Sequence, residues 1–125
     1  MILGIGVDLA DGARIRERVA SEGEEFLGEF LTAREIASLG GRRDPALSHA
    51  ARFAAKEAFG KALGTGVQGA FPWTDVEVVA DERGRPRLEL AGRAERLARE
   101  SGVGRVHVSL THDGDLAAAV VVLED

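Results

Sequence analysis

The chain has 125 residues, no cysteine and a formal net charge of −5, which excludes disulfides and thiolate metal sites and disfavours general nucleic-acid binding through phosphate contacts. Hydrophobic residues make up 45% and charged residues 30%, a balance typical of a globular protein, and we expect one domain over residues 1–125. No apolar run is long enough to span a bilayer, and the first residues lack the pattern of a signal peptide. We therefore expect a cytoplasmic protein with no membrane partner.

The first third of the chain predicts a strand followed by short helices. Residues 2–8 are almost wholly apolar, which predicts a short buried strand. Asp11 is the expected N-cap of a helix that begins directly after it. Residues 22–30 predict a second helical stretch. Thr32 and Glu35 have the spacing of a capping box, which predicts the start of a third helix.

The longest helix is predicted over residues 49–63, with Ser48 as its N-cap and Gly64 as a left-handed C-cap. At about 100° of rotation per residue, its small apolar side chains share one half of the helix and its polar side chains the other. The polar half carries Arg52, Lys56, Glu57 and Lys61. Spacing alone indicates a solvated face with a surface ion pair between Glu57 and Lys61.

The remainder of the chain predicts four strands and one helix. Residues 75–80 and 87–90 predict a hairpin, and residues 93–100 a short helix. Residues 105–111 alternate between apolar and polar side chains, and residues 116–123 are largely apolar, which predicts two further strands. The order β-ααα-ββ-α-ββ predicts an α+β fold with a small antiparallel sheet, a long helix and several short helices.

The polar half of the long helix resembles the signature of phosphopantetheinyl transferases. Residues 53–61 read FAAKEAFGK, and the family pattern is an aromatic, two residues, Lys-Glu, and a lysine four residues after the glutamate. Residues 52–66 are similar to the form of this motif in the short, single-domain holo-acyl-carrier-protein synthases. Further blocks match in the family's order, namely residues 4–8 (GIGVD), 73–78 (WTDVEV), 84–86 (GRP) and 107–112 (HVSLTH). The resemblance covers nearly the whole chain.

This resemblance implies an enzyme that transfers the 4'-phosphopantetheine group of coenzyme A to a serine of an apo acyl carrier protein and releases adenosine 3',5'-bisphosphate. It implies Asp8 and Glu57 as ligands of Mg²⁺ and Lys61 as the group that neutralises the diphosphate, so these three are the expected catalytic residues. Ala10 stands where longer superfamily members carry an acidic residue, which leaves more of the coordination to water. The general base stays open between Glu57 and a metal-bound hydroxide.

The same resemblance implies coenzyme A contacts from three parts of the chain. They are Arg52, Lys61, Gly84, Pro86, Ser109 and His112. Arg42 or Arg43 is a further candidate for the 3'-phosphate. Two interpretations of Lys56 are open: it lies near the diphosphate, or it forms an ion pair on the surface.

Two kinds of protein partner are implied by the family. An acidic acyl carrier protein is expected to dock on Arg14, Arg18 and Phe26, although the acidic residues 22, 24 and 25 stand where basic residues are common. Short members form homotrimers, so Asp8 and Glu57 of one subunit would share a site with His112 of its neighbour. Whether the carrier serves fatty-acid or polyketide synthesis stays open.

Other classes of function remain possible at this stage. A non-catalytic coenzyme A or nucleotide-binding module would need Lys61 and His112 but no paired carboxylates, so the presence of both Asp8 and Glu57 argues against it. A structural oligomer would use the basic helix for intersubunit ion pairs. A metal-dependent nucleotide-diphosphate hydrolase would release phosphopantetheine to water. The long helix has no Walker A loop, because its glycines follow Lys61.

Overall fold

The computed structural model describes all 125 residues and shows the predicted α+β fold. Its strands are β1 Ile2–Asp11, β2 Val76–Ala80, β3 Pro86–Leu90, β4 Arg105–Asp113 and β5 Leu116–Glu124. Its α-helices are α1 Gly12–Glu22, α2 Ala33–Leu39, α3 Ala46–Leu63 and α4 Gly92–Glu100. Two short 3-10 helices, Glu24–Glu29 and Trp73–Asp75, complete the elements.

The strands form two antiparallel sheets. The larger sheet has the order β1-β5-β4, and β2 pairs with β3 in a separate hairpin. In the larger sheet Asp8 of β1 lies opposite Ala119 of β5, which lies opposite Leu110 of β4. Strands β1 and β4 are therefore the two edges, separated by β5.

Strand β1 lies directly on helix α3 because two glycines remove the side chains between them. A Cβ atom on Gly4 would come within 1.9 Å of the carbonyl oxygen of Ala62, and one on Gly6 within 1.9 Å of that of Ala58. Side chains alternate along a strand, so Asp8 shares this helix-facing side with the two glycines. The close approach explains why the N-terminal motif carries glycine at both positions.

The main core forms on the alanine-rich side of α3. Ala54, Ala55, Ala58 and Phe59 of this helix have no exposed surface. They pack in one cluster with side chains of the larger sheet and of β2 and α4. A second cluster joins α1, the first 3-10 helix and the start of α3.

The three local capping predictions away from the start of α3 are confirmed. The Asp11 side chain accepts a hydrogen bond from the amide of Ala13 at 2.9 Å. Thr32 and Glu35 form a complete capping box, and Gly64 ends α3 with a left-handed φ of 81°. These interactions involve neighbours in the chain, which is why the sequence alone predicts them.

The start of the long helix was predicted wrongly. Helix α3 begins at Ala46, three residues before the predicted start, and no side chain caps it from the N-cap position of Pro45. Instead of capping, the Ser48 hydroxyl accepts a hydrogen bond from Arg42 at 2.8 Å. The predicted second helix is a 3-10 helix, and β1 extends three residues further than predicted, to Asp11.

None of the helices combines the length and the apolarity that crossing a membrane requires. The larger sheet does leave an apolar face uncovered, on the side away from α3. The exposed large side chains of this face are Leu3, Ile5, Val7, Leu9, Leu116 and Val120.

Candidate active site

The N-terminal motif meets the helix motif through Asp8 and Lys61. The Lys61 ammonium donates to Oδ1 of Asp8 at 3.0 Å and to the carbonyl oxygen of Val7 at 3.1 Å. The Lys61 side chain remains 53% exposed, whereas that of Asp8 is 17% exposed. Lys61 therefore has room to contact a ligand while remaining next to a fixed carboxylate.

Glu57 lies one helical turn before Lys61 on α3 and has a different partner. Its Oε1 accepts a hydrogen bond from the indole Nε1 of Trp73 at 2.9 Å. No ion pair joins Glu57 to Lys61, so the surface pair expected from helical spacing is not formed. The indole holds one oxygen of Glu57, and the other oxygen accepts no hydrogen bond from the protein.

The two carboxylates suit a hard cation by their chemistry. Asp8 reaches Lys61 from β1 and Glu57 lies one turn away on α3, and each carboxylate keeps one oxygen without a protein donor. Mg²⁺ prefers oxygen ligands and retains several waters, so two carboxylates together with phosphate oxygens are a sufficient donor set. The chain contains no group of three or more acidic or histidine side chains that could hold a metal ion without such help.

Lys56 lies away from this site, in the interior. Its side chain is 0% exposed, and its ammonium donates to Oε1 of Glu35 at 2.6 Å and to the carbonyl oxygen of Phe30 at 2.5 Å. Glu35 also accepts from the backbone amides of Thr32 and Val78. Burial lowers the pKa of Lys56, and the neighbouring carboxylate acts in the opposite direction. Lys56 is therefore a buried structural cation, and both interpretations made from the sequence are wrong.

A cavity of about 550 Å³ lies between the start of α3, the β2–β3 hairpin and the end of β4. It brings together four residues that the resemblance assigned to coenzyme A binding, which are Arg52, Gly84, Pro86 and His112. Arg42 also lines it. Two guanidinium groups and an imidazole beside a mixed polar and apolar wall suit a phosphorylated nucleotide.

Arg52 is held in place at this cavity. It donates from Nη1 to the carbonyl oxygen of Ser48 at 3.2 Å, while its Nε is buried without a partner. Burial lowers the pKa of Arg52, and Glu35 partly offsets this effect. A buried donor without an acceptor is costly, so an anion that reached this nitrogen would gain a strong hydrogen bond.

Lys61 and Ser109 lie outside that cavity. Lys61 is at the β1 edge of the sheet, and Ser109 is exposed in the middle of β4. Within one chain the predicted coenzyme A contacts are therefore dispersed, with four lining the cavity, Lys61 beside Asp8, and Ser109 on the opposite edge strand.

A second cavity, of about 390 Å³, contains all three residues expected to dock the carrier protein. Arg14, Arg18 and Phe26 line it together with Phe53 and Trp73. The Arg18 guanidinium lies 4.4 Å from the centre of the Phe26 ring and also pairs with Glu22, which lowers the pKa of that carboxyl. Arg14 is exposed and forms no ion pair.

Two side-chain partners could not be predicted from the sequence, one at the site and one in the interior. Trp73 binds Glu57 from 16 residues away, and Glu35 binds Lys56 from 21 residues away. Trp73 belongs to residues 73–78, which match the family pattern, but that match assigned no function to it. For Glu35 the only signal was its capping-box position, which hid its second function as a buried counter-ion.

Comparisons with known proteins show the family of the chain. The family model described as the 4'-phosphopantetheinyl transferase superfamily matches residues 4–121. A holo-[acyl-carrier-protein] synthase of Geotalea daltonii is 43% identical over 124 residues, covering 99% of each chain. The crystal structure of holo-[acyl-carrier-protein] synthase from Neisseria meningitidis has a TM-score of 0.91 at 35% identity over the whole of both chains.

A second solved structure carries a bound molecule. It is that of the Helicobacter pylori holo-[acyl-carrier-protein] synthase in complex with coenzyme A, with a TM-score of 0.84, 29% identity, and coverage of 96% of this chain and 99% of that one. The matched family model and the full-length relatives show that the protein belongs to the 4'-phosphopantetheinyl transferase superfamily. The similar structures and relatives lie in its short, holo-[acyl-carrier-protein] synthase branch.

Proposed function

We propose that this protein transfers the 4'-phosphopantetheine group of coenzyme A to a serine of an apo acyl carrier protein and releases adenosine 3',5'-bisphosphate. The observation that carries the proposal is the contact of Asp8 with Lys61, which joins two family motifs one helical turn from Glu57. Full-length relatives named holo-[acyl-carrier-protein] synthase support it, and one similar structure contains coenzyme A.

The reaction exchanges one phosphorus–oxygen bond for another. The serine oxygen attacks the phosphorus that carries pantetheine, the bond to the bridging diphosphate oxygen breaks, and the electron pair leaves with adenosine 3',5'-bisphosphate. Lys61 supplies positive charge where negative charge grows on the phosphate oxygens. The oxygen of Glu57 that has no protein donor would be one candidate to accept the serine proton, directly or through a water molecule, and a metal-bound hydroxide is the other.

Asp8 and Glu57 are the residues we propose to hold Mg²⁺. The ion would neutralise the diphosphate and polarise its oxygens when bound. Arg52 and His112 would hold the nucleotide end of coenzyme A in the larger cavity. Gly84 and Pro86, at the β2–β3 turn, form part of the wall of this cavity. Ser109 and Lys61 would contact phosphate oxygens at the opposite end of the ligand.

One incubation tests the reaction. The protein is mixed with apo acyl carrier protein, coenzyme A and Mg²⁺, and the carrier is weighed by mass spectrometry. We expect a mass gain equal to one phosphopantetheine group. Free phosphopantetheine with an unmodified carrier would indicate a hydrolase. Coenzyme A binding with no chemistry would indicate a binding module. We also propose that the reaction takes place in the cytoplasm and belongs to lipid metabolism, with fatty-acid biosynthesis as the expected process and a polyketide carrier as the alternative.

Arg14 is the proposed first contact for the acidic carrier. It is exposed at the smaller cavity without an internal partner, whereas Arg18 is already paired with Glu22. We expect Arg14→Ala to weaken carrier binding about 5-fold, the scale of an interface charge that is partly screened, while coenzyme A binding stays unchanged. Calorimetry with each ligand measures both affinities.

The control for Arg14 is Arg93→Ala, on the exposed surface of α4 and away from both cavities. It should leave both affinities unchanged. Equal losses of carrier and coenzyme A affinity in Arg14→Ala would contradict the separate docking role.

We propose that the active protein is a homotrimer with sites between subunits. Asp8 and His112 lie on opposite edge strands of one sheet, with β5 between them, so strand spacing alone separates them by about 10 Å. The apolar face defined by the exposed side chains of β1 and β5 needs a cover, since large uncovered apolar patches mark interfaces. Further copies of the chain would cover it and bring one subunit's Asp8 and Glu57 to its neighbour's nucleotide cavity.

A charge on this apolar face tests the assembly. Ile5 is 62% exposed in the single chain, so Ile5→Asp should not disturb folding but would place a carboxylate inside the proposed interface. We expect a monomer by light scattering, because burying an unpaired charge is costly, and a loss of transfer of about 100-fold, because the site between subunits would be incomplete. Arg96→Asp on α4 is the control and should remain assembled. A fully active monomeric Ile5→Asp protein would refute the intersubunit site.

A further inference from the structure

The hydrogen bond between Trp73 and Glu57 joins the reacting end of the site to its docking end. Trp73 lies in the short 3-10 helix before β2, outside every element that carries the expected catalytic residues. Its indole donates to Oε1 of Glu57 at 2.9 Å, and the same side chain lines the smaller cavity. An indole has one donor and no acceptor, so this contact uses its full hydrogen-bonding capacity.

The indole is held in place by a chain of aromatic rings. The Trp73 ring lies 5.8 Å from that of Phe53, which in turn lies 5.4 Å from that of Phe30 in an edge-to-face arrangement. The Phe30 side chain is buried. Rings at these separations stabilise one another, which restricts the directions in which the indole N–H can point. The donor is therefore fixed before any ligand binds.

We propose that Trp73 is a positioning residue that fixes the orientation of the Glu57 carboxylate. The inference rests on the proposed function of Glu57 and extends it to a residue with no reacting group of its own. Because the indole holds Oε1, the second oxygen is kept in one defined direction, in which it would be available to a metal ion or to a proton. Without this hydrogen bond the glutamate side chain could rotate about several bonds. Ordering it when a ligand binds would then cost conformational entropy, which lowers the affinity or the rate.

The expected loss on removing the indole donor can be taken from other metal sites at which a second residue orients a ligand. Removing a group that orients a ligating side chain typically costs about 10- to 100-fold in activity or metal affinity. We therefore expect removal of the indole donor to lower kcat and to raise the Mg²⁺ concentration needed for half-maximal rate. The KM values for coenzyme A and for the carrier should not change, provided that the ring itself remains in the cavity wall.

The composition of the chain allows a single-atom test. Trp73 is the only tryptophan, so a tryptophan analogue supplied during expression enters one position only. β-(3-Benzothienyl)alanine keeps the bicyclic ring but replaces the N–H with sulfur, whereas 5-fluorotryptophan keeps the N–H. We expect the sulfur protein to lose about 10- to 100-fold in kcat. The fluorinated protein should transfer at nearly the natural rate.

A spectroscopic measurement tests the contact without using activity. The chain has one indole N–H resonance, and an indole bonded to a carboxylate resonates at higher frequency than one bonded to a neutral amide. Glu57→Gln should therefore shift this resonance to lower frequency. Glu29→Gln is the matched control, because Glu29 lines the same cavity but does not contact the indole. It should leave the resonance in place.

These two measurements separate the inference from the function on which it rests. A sulfur protein with the natural kcat and Mg²⁺ dependence, or an indole resonance unmoved in Glu57→Gln, would overturn the positioning role. If the natural and the fluorinated proteins both failed to modify the carrier, the proposed function would fall. The resonance would then still decide whether Trp73 holds Glu57.

Discussion

Replacing Glu57 with glutamine should lower the rate of phosphopantetheine transfer at least ~100-fold, the loss typical of removing one group that stabilises transition-state charge. Glutamine keeps the shape of the side chain and an oxygen that can accept from Trp73. It removes the negative charge that would hold a cation and accept a proton. The expected signature is a lower kcat together with a weaker response to Mg²⁺, measured by the mass gain of the carrier over time.

Glu100→Gln is the control for Glu57→Gln. Glu100 is exposed at the end of α4 and forms no hydrogen bond or ion pair, so the same chemical change there should not affect transfer. Natural rates in Glu57→Gln would show that this carboxylate neither holds the metal nor accepts the proton. The assignment of Asp8 as its partner would then lose its basis as well.

Local interactions in the fold could be predicted from the sequence, and interactions across the fold could not. The caps at Thr32 and Gly64 depend on residues three or four positions apart, so the spacing of residue types is sufficient. Ser48 had the right residue type for a cap, but Arg42 occupies its hydroxyl and the helix begins earlier. Competition from a side chain in the preceding loop is not visible in a helical pattern.

The site shows the same division. The family motif identified Asp8, Glu57 and Lys61 as a group, and the structure brings Asp8 and Lys61 into contact and places Glu57 one turn away. A helical wheel, however, describes one helix and not the elements that pack against it. The wheel therefore put Lys56 on the half of α3 that was expected to be solvated. Helix α2 supplies one acceptor of the Lys56 ammonium, Glu35, and Phe30, directly after the first 3-10 helix, supplies the other.

The buried pair of Lys56 and Glu35 has the largest expected effect on stability. Both side chains are essentially unexposed, and the pair ties α3 to α2 while Glu35 also holds the amide of Val78 on β2. Lys56→Met fills a similar volume but leaves the Glu35 carboxylate buried without its cation. We expect the free energy of unfolding to fall by about 3–5 kcal/mol, measured by urea denaturation.

The double variant Lys56→Met with Glu35→Gln distinguishes a charge effect from a packing effect. Once the carboxylate is also neutral, no unpaired charge remains, although the carbonyl oxygen of Phe30 still lacks a donor. We therefore expect the double variant to be more stable than Lys56→Met alone, because breaking a buried pair costs more than replacing it whole. If the losses measured separately for Lys56→Met and for Glu35→Gln simply added in the double variant, the pair would contribute through shape and not through charge. Lys56 directly precedes Glu57 on α3, so the pair also fixes the part of the helix from which the carboxylate proposed to hold the metal projects.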